Sequence, residues 1–140
     1  MKGRTILVVD DDPAITEFLA QALTDEGYTV LNARDWASLE LARTEQPQVI
    51  LLDVLMPVLS GIEVSQRLRA DPATAHIPII AMSAHVRRPL PMGLLVDDWL
   101  SKPFTLDQLY RVIARNRYAW FGRSEACLVP PAHHLARFLD

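Results

Sequence analysis

The chain is poor in the residues that would commit it to several common designs. Of 140 residues one is cysteine, Cys127, which excludes an internal disulfide framework and a zinc site built on thiolates. No apolar run reaches the ~18 residues of a membrane span. The opening stretch, MKGRTILVVDDDP, runs too quickly into three aspartates to be a secretory signal, so a cytoplasmic location is expected. Basic residues are not in excess. Fourteen Lys and Arg against seventeen Asp and Glu leave a net charge of −3, which offers no electrostatic footprint for nucleic acid. Repeats and low-complexity tracts are absent. Lysine is scarce within the cationic set: Lys2 stands at the terminus and Lys102, in Ser-Lys-Pro-Phe, is the only other. An ammonium is a compact point charge that a guanidinium does not replace, so a chain that otherwise uses arginine marks Lys102 as a candidate functional group.

What the chain does contain alternates between two periods. Thr5–Asp10 and Gln48–Asp53 are continuous apolar runs that end in acid, as buried parallel strands do. Tyr28–Asn32, Ile77–Met82 and Asp97–Leu100 read as three further strands. Between them, Asp12-Pro13 caps a helix carrying Ile15, Phe18, Leu19, Ala22 and Leu23 on one face, and Gly27 stops it. Asp35 caps a helix over about 36–45, ended by Pro47. Ser60-Gly61-Ile62-Glu63 and Thr105-Leu106-Asp107-Gln108 are capping boxes opening helices to about Ala70 and Arg117. His85–Gly93 carries Pro89 and Pro91, which oppose a regular helix between the fourth and fifth strands.

Strands alternating with helices predict an α/β three-layer sandwich around a parallel sheet with right-handed crossovers. Ligands of such folds bind beyond the carboxyl ends of the strands. Asp10, Asp11 and Asp12 follow the first strand, Asp53 ends the third, Ser83 follows the fourth and Lys102 the fifth, so all gather at one sheet edge. Clustered carboxylates without histidine or thiolate suit a hard cation, Mg²⁺ before Zn²⁺. With an ammonium and a hydroxyl opposite, the edge describes a cradle for a phosphoryl group and a carboxylate able to act as nucleophile.

The stretches ILVVDDDP, VILLDVLMP with Ser60-Gly61 beyond it, PIIAMSA and DDWLSKPF, in that order over roughly residues 4–117, resemble the receiver domain of two-component response regulators. The resemblance implies a flavodoxin-like receiver fold: a five-stranded parallel sheet, order 2-1-3-4-5, with five helices. It implies that Asp53 is the phosphoacceptor, taking a phosphoryl group from a sensor histidine kinase or a phosphotransfer protein. Asp10 and Asp11 match the acidic pair that holds Mg²⁺, or Mn²⁺ in its place, with Asp53 and the backbone carbonyl of Leu55 completing the protein ligands. Asp12 reads as the helix cap. Lys102 and Ser83 would hold phosphoryl oxygens, and Trp99 falls at the position of the switch aromatic. Leu55 and His85 stand where side chains tune hydrolysis of the aspartyl phosphate. Apolar Leu55 offers an attacking water no hydrogen bond, so slow self-dephosphorylation is expected.

The resemblance has departures. The interval from Ser83 to Trp99 is shorter than the family's, and Leu95 replaces a usual glycine, so the helix between the fourth and fifth strands is expected to be short or irregular. Trp99 is larger than the usual tyrosine or phenylalanine. Residues 1–120 are expected to form the receiver domain and 121–140 a tail with a short amphipathic helix on Leu135, Phe138 and Leu139, too short for a DNA-binding output domain. The tail either covers the chain's own surface or joins two copies as a homodimer. The function expected is that of a stand-alone response regulator, a phosphoacceptor rather than an enzyme, acting on a downstream protein without direct DNA binding or a membrane partner. Two alternatives stand beside it. A receiver-like interaction module would show little or no phosphorylation. A haloacid-dehalogenase-like phosphatase would use Asp10-x-Asp12, but lacks the acidic pair expected after its lysine.

Overall fold

A computed structural model describes residues 4–54, 60–84 and 92–124, with side chains described as far as residue 116. The chain runs β1 (Thr5–Val9), α1 (Pro13–Asp25), β2 (Thr29–Ala33), α2 (Ala37–Glu45), β3 (Val49–Asp53), α3 (Gly61–Ala70), β4 (Ile79–Ser83), β5 (Asp98–Ser101) and α4 (Leu106–Ser124). All strand pairs are parallel, and the sheet order is β2-β1-β3-β4-β5. This is the doubly wound fold expected from the sequence.

The strand pleat divides the apolar runs between two cores. Ile6 and Val8 of β1 face α1 and α4, where Leu19, Leu23, Leu109 and Val112 close over them. Leu7 and Val9 face α2 and α3, meeting Ala42, Val64 and Leu68. Every residue of β1, β3 and β4 is buried. At ~25 cal/mol per Å² of apolar surface, these three strands and the helix residues that cover them carry the fold's hydrophobic stabilisation. The edge strands differ: β2 is largely exposed or half-buried, and in β5 Leu100 alone is buried.

The caps of α1, α3 and α4 follow the sequence signals. Asp12 accepts from the Ala14 amide at 3.0 Å; at α2, Trp36 rather than the expected Asp35 holds the cap position, and Asp35 accepts from the Ala37 amide at 2.9 Å from one residue further out. The box at α4 is reciprocal: the Gln108 amide donates to Thr105 Oγ1 at 3.1 Å and the Thr105 amide to Gln108 Oε1 at 2.9 Å. At α3 the Ser60 hydroxyl accepts from the Glu63 amide, while the Glu63 carboxylate takes Arg67 one turn on at 3.1 Å. Gly27 ends α1 at φ +91°, and a Cβ there would lie 2.8 Å from Arg4.

Boundaries shift for identifiable reasons. The Ile77 amide closes a turn onto Thr74 O at 3.1 Å and Pro78 has no N–H, so β4 begins at Ile79 and reaches Ser83. The Tyr28 amide donates to Leu23 O at 3.0 Å, which keeps Tyr28 in the α1 terminus and starts β2 at Thr29. The last helix continues past Arg117 to Ser124. Between β4 and β5, residues 92–97 form a turn with Gly93 at φ +86° and no helix. Residues 85–91 of that interval and the tail 125–140 lie outside the described residues. No helix among the described residues is long and apolar enough to cross a membrane.

Candidate functional site at the carboxyl edge of the sheet

β1 and β3 are neighbours, so their carboxyl ends lie side by side and present Asp10 and Asp53 together. Carboxylate oxygens of Asp10, Asp11 and Asp53 all lie within 4.8 Å of one another. Asp10 is fully buried and Asp53 keeps 6% exposure. Both oxygens of Asp10 are engaged: Oδ1 accepts from the Asp12 amide at 2.9 Å, and Oδ2 accepts from Lys102 Nζ at 3.0 Å. Lys102 Nζ also stands 3.6 Å from Asp53 Oδ2. Among the described residues three carboxylates therefore meet one ammonium, and the donor set is oxygen alone. Such a set fits a small hard cation, which would balance the remaining negative charge, and does not suit a thiophilic or imidazole-seeking metal.

Lys102 is delivered by the β4–β5 ladder. Ser83 pairs with Ser101, and the Lys102 amide donates to Ser83 O at 2.9 Å. The Lys102–Pro103 peptide is cis, and Phe104 beyond it packs on Phe18 of α1 with ring centroids 6.0 Å apart. Ser83 is buried at the same edge, at the end of β4. Trp99 sits three residues before the lysine, half-buried. It shares a hollow of about 300 Å³ with Ser101, Gln108, Arg111 and Arg115. Leu55 and His85, the two expected tuning positions, lie outside the described residues, and so does the Leu55 carbonyl expected to bind metal.

The helix after the Asp53 loop returns to touch it. The Gly61 amide donates to Val54 O at 3.3 Å, and a Cβ at Gly61 would lie 2.7 Å from both Asp53 O and Val54 Cα. Backbone cannot swing aside as a side-chain end can. Gly61→Ala is therefore expected to lower stability by about 1–3 kcal/mol as the α3 start and the Asp53 strand end are forced apart. Chemical denaturation of wild type and variant measures this, and equal stability would show that the approach can relax without cost.

Sequence reasoning missed a polar network at the amino end of β5, which it had read only as strand. Asp97 is bonded by Arg69 of α3, and Asp98 by Arg115 and Asn116 of α4. The signal was present as two adjacent acids opening an edge strand, positions where a pleat sends each to a different helix layer. The Ala73 amide and then Arg43 hold the Asp71 carboxyl below the usual carboxylate range, and Asp71 in turn raises Arg43. Desolvation, with Glu26 and Asp25 adding, pushes the Tyr110 hydroxyl up. Arg43 and Asp71, an ion pair at 2.9 Å, line an open hollow of about 400 Å³ beside α2 and the end of α3.

The chain matches the family model described as the response regulator receiver domain over residues 6–114. It is 40% identical over 131 residues to the phosphate regulon transcriptional regulatory protein PhoB of Pseudomonas aeruginosa, covering 90% of this chain and 57% of that one. It is likewise 40% identical over 116 residues to the response regulator MprA of Mycobacterium ulcerans, covering 80% and 48%. The chain thus spans about half the length of the curated relatives it matches. Among solved structures it superposes, at TM-score 0.75 and 28% identity, on the receiver domain of sensor histidine kinase PA1611 from Pseudomonas aeruginosa PAO1, which holds a magnesium ion in its active site cleft. That match covers 82% of this chain and 98% of the other.

Proposed function

The chain belongs to the response regulator receiver domain family, and from that premise we propose that Asp53 is its phosphoacceptor, with Asp10 and Asp11 as the cation-binding pair and Lys102 and Ser83 as the groups that hold phosphoryl oxygens. The observation carrying this reading is the meeting of three carboxylates within 4.8 Å beside an ammonium 3.0 Å from one and 3.6 Å from another.

In the proposed reaction an Asp53 carboxylate oxygen forms a bond to phosphorus as the P–N bond of a phosphohistidine, or the P–O bond of an acyl phosphate, breaks and the leaving group departs. Lys102 neutralises charge on the transferred oxygens, and the Ser83 hydroxyl donates to one of them. The Asp12 amide holds Asp10 in place. A bound Mg²⁺ would supply the charge neutralisation that lets an anionic phosphoryl group approach an anionic nucleophile. The partners proposed are a histidine kinase or phosphotransfer protein upstream and a protein target downstream. Residues 1–120 are proposed as the phosphorylated unit and 121–140 as an appended tail, although α4 itself runs unbroken to Ser124.

Incubation with acetyl phosphate and Mg²⁺, followed by intact mass measurement, tests the reading. A single phosphoryl addition that disappears when a chelator replaces the cation is expected. No addition under saturating donor and cation would overturn it and leave a receiver-like interaction module.

A further inference from the structure

The position of Lys102 is set by a strand with little to hold its register. Among the described residues β5 is an edge strand paired with β4 alone; it has four residues, of which only Leu100 is buried. Burial of Leu100 resists a one-residue slip, because that slip would turn it out of the core. A two-residue slip keeps Leu100 on the same face. It would carry Lys102 about 7 Å along the sheet, away from Asp10 and Asp53. Hydrophobic patterning therefore rests on this one side chain, and the polar groups flanking it must find their partners in the working register.

Two consecutive carboxylates do so. Asp97 is pinned to the head of β4 at both its backbone and its side chain: its amide donates to Ile79 O at 2.9 Å, and its Oδ2 accepts from the Ile79 amide at 2.9 Å. The same oxygen takes Arg69 of α3, whose other terminal nitrogen donates to Ala75 O at 3.0 Å and Ile77 O at 2.8 Å. Asp98, pointing to the opposite layer, takes Arg115 of α4 through Nε at 2.6 Å and Nη2 at 3.0 Å. Asn116, fully buried, adds a third donor at 2.9 Å. Both carboxylates keep 13% exposure; Arg69 is largely covered as well, whereas Arg115 is an exposed side chain that reaches in to Asp98 beside the buried Asn116.

We propose that Asp97 with Arg69, and Asp98 with Arg115 and Asn116, form a two-sided register clamp on β5, and that they are positioning residues for Lys102. The clamp acts at the amino end of the strand and the lysine stands just beyond its carboxyl end, so the fixed rise of the strand converts one into the other. The effect on phosphorylation rests on the function proposed above, whereas the register does not.

The test is a double-mutant cycle with a structural readout beside it. Asp97→Ala, and independently Arg69→Met, are expected to slow phosphoryl uptake from acetyl phosphate roughly 10- to 100-fold, the scale of a misplaced catalytic group. Mn²⁺ affinity should rise, since a displaced Lys102 no longer competes for the charge of Asp10 and Asp53 and no acid of the cation cluster lies on β5. In a Lys102→Ala background the same substitutions should cost nothing further. An equal loss in that background, or weakened Mn²⁺ binding, would show general destabilisation and overturn the proposal. The nuclear Overhauser contacts between β4 and β5 at the Ser83–Ser101 pair report the register directly. Their loss in Asp97→Ala with an otherwise native spectrum supports the clamp, and their full retention refutes it. If the wild type takes up no phosphoryl group, the receiver reading fails while this second readout still decides the clamp.

Discussion

Asp53→Asn is expected to yield a folded chain that acquires no phosphoryl group under conditions that label the wild type to completion. The substitution keeps the shape of a side chain that is 8% exposed, so packing at the end of β3 is preserved. It replaces a carboxylate by an amide whose oxygen is not a competent nucleophile. The loss should therefore be complete rather than graded. A second consequence follows from the charges. Asp53 stands near two other carboxylates and one ammonium, so two repulsions oppose one attraction. Without divalent cation, neutralising Asp53 should raise stability by something on the order of 1 kcal/mol. With saturating Mg²⁺ the order should reverse, because the wild type binds the ion more tightly and gains more from it. Thermal melts with chelator and with Mg²⁺ separate the two regimes. A phosphoryl group found on the Asp53→Asn variant would transfer the nucleophile's role to Asp10 or Asp11.

The parts of this architecture that could be read in advance are those governed by local rules. Buried parallel strands are continuous apolar runs because both faces are covered, which makes β1, β3 and β4 conspicuous. Caps at Asp12 and Thr105 are written in two to four residues and appear where the residues are. The gathering of Asp10, Asp53, Ser83 and Lys102 at one edge follows from topology alone, since every parallel strand ends at the same side of the sheet. The errors fall where a backbone hydrogen bond within a few residues overrides what the side chain suggests. Tyr28 has a strand former's side chain, but its amide belongs to α1. Ile77 looks like strand, but its amide closes a turn onto Thr74 and Pro78 after it has no N–H to give the ladder.

The β5 clamp was invisible for a different reason. Asp97 and Asp98 can be seen as acids, but their meaning depends on Arg69, which lies 28 residues earlier, and on Arg115 and Asn116, which lie 17 and 18 residues later. Twelve arginines offered no way to choose the right two. The scarcity that singled out Lys102 is the converse: a residue used once inside the chain points to itself.

That lysine carries the other large expectation. Lys102→Ala should slow phosphoryl uptake at Asp53 by about 100- to 1,000-fold, the loss seen when one preorganised donor to a developing charge is removed. It should at the same time tighten divalent cation binding, because an ammonium 3.0 Å from Asp10 and 3.6 Å from Asp53 competes for the same negative charge. Opposite changes in rate and cation affinity distinguish this role from simple damage to the site, which would weaken both. In the absence of cation the variant should also be less stable, by about 3 kcal/mol, because Asp10 is left buried without its partner. That figure is the low end for a broken buried pair, since Lys102 retains 17% exposure. Mg²⁺ should restore most of the lost stability by taking over the charge. Lys102→Arg is not expected to rescue the rate. A planar fork spreads its charge over several nitrogens, and it cannot place a point charge between two carboxylates as the ammonium does. Rate measurement by intact mass, cation titration and melting of the two variants test these statements together. A Lys102→Ala protein that labelled at the wild-type rate would remove the ammonium from the chemistry and leave it as a structural counter-ion.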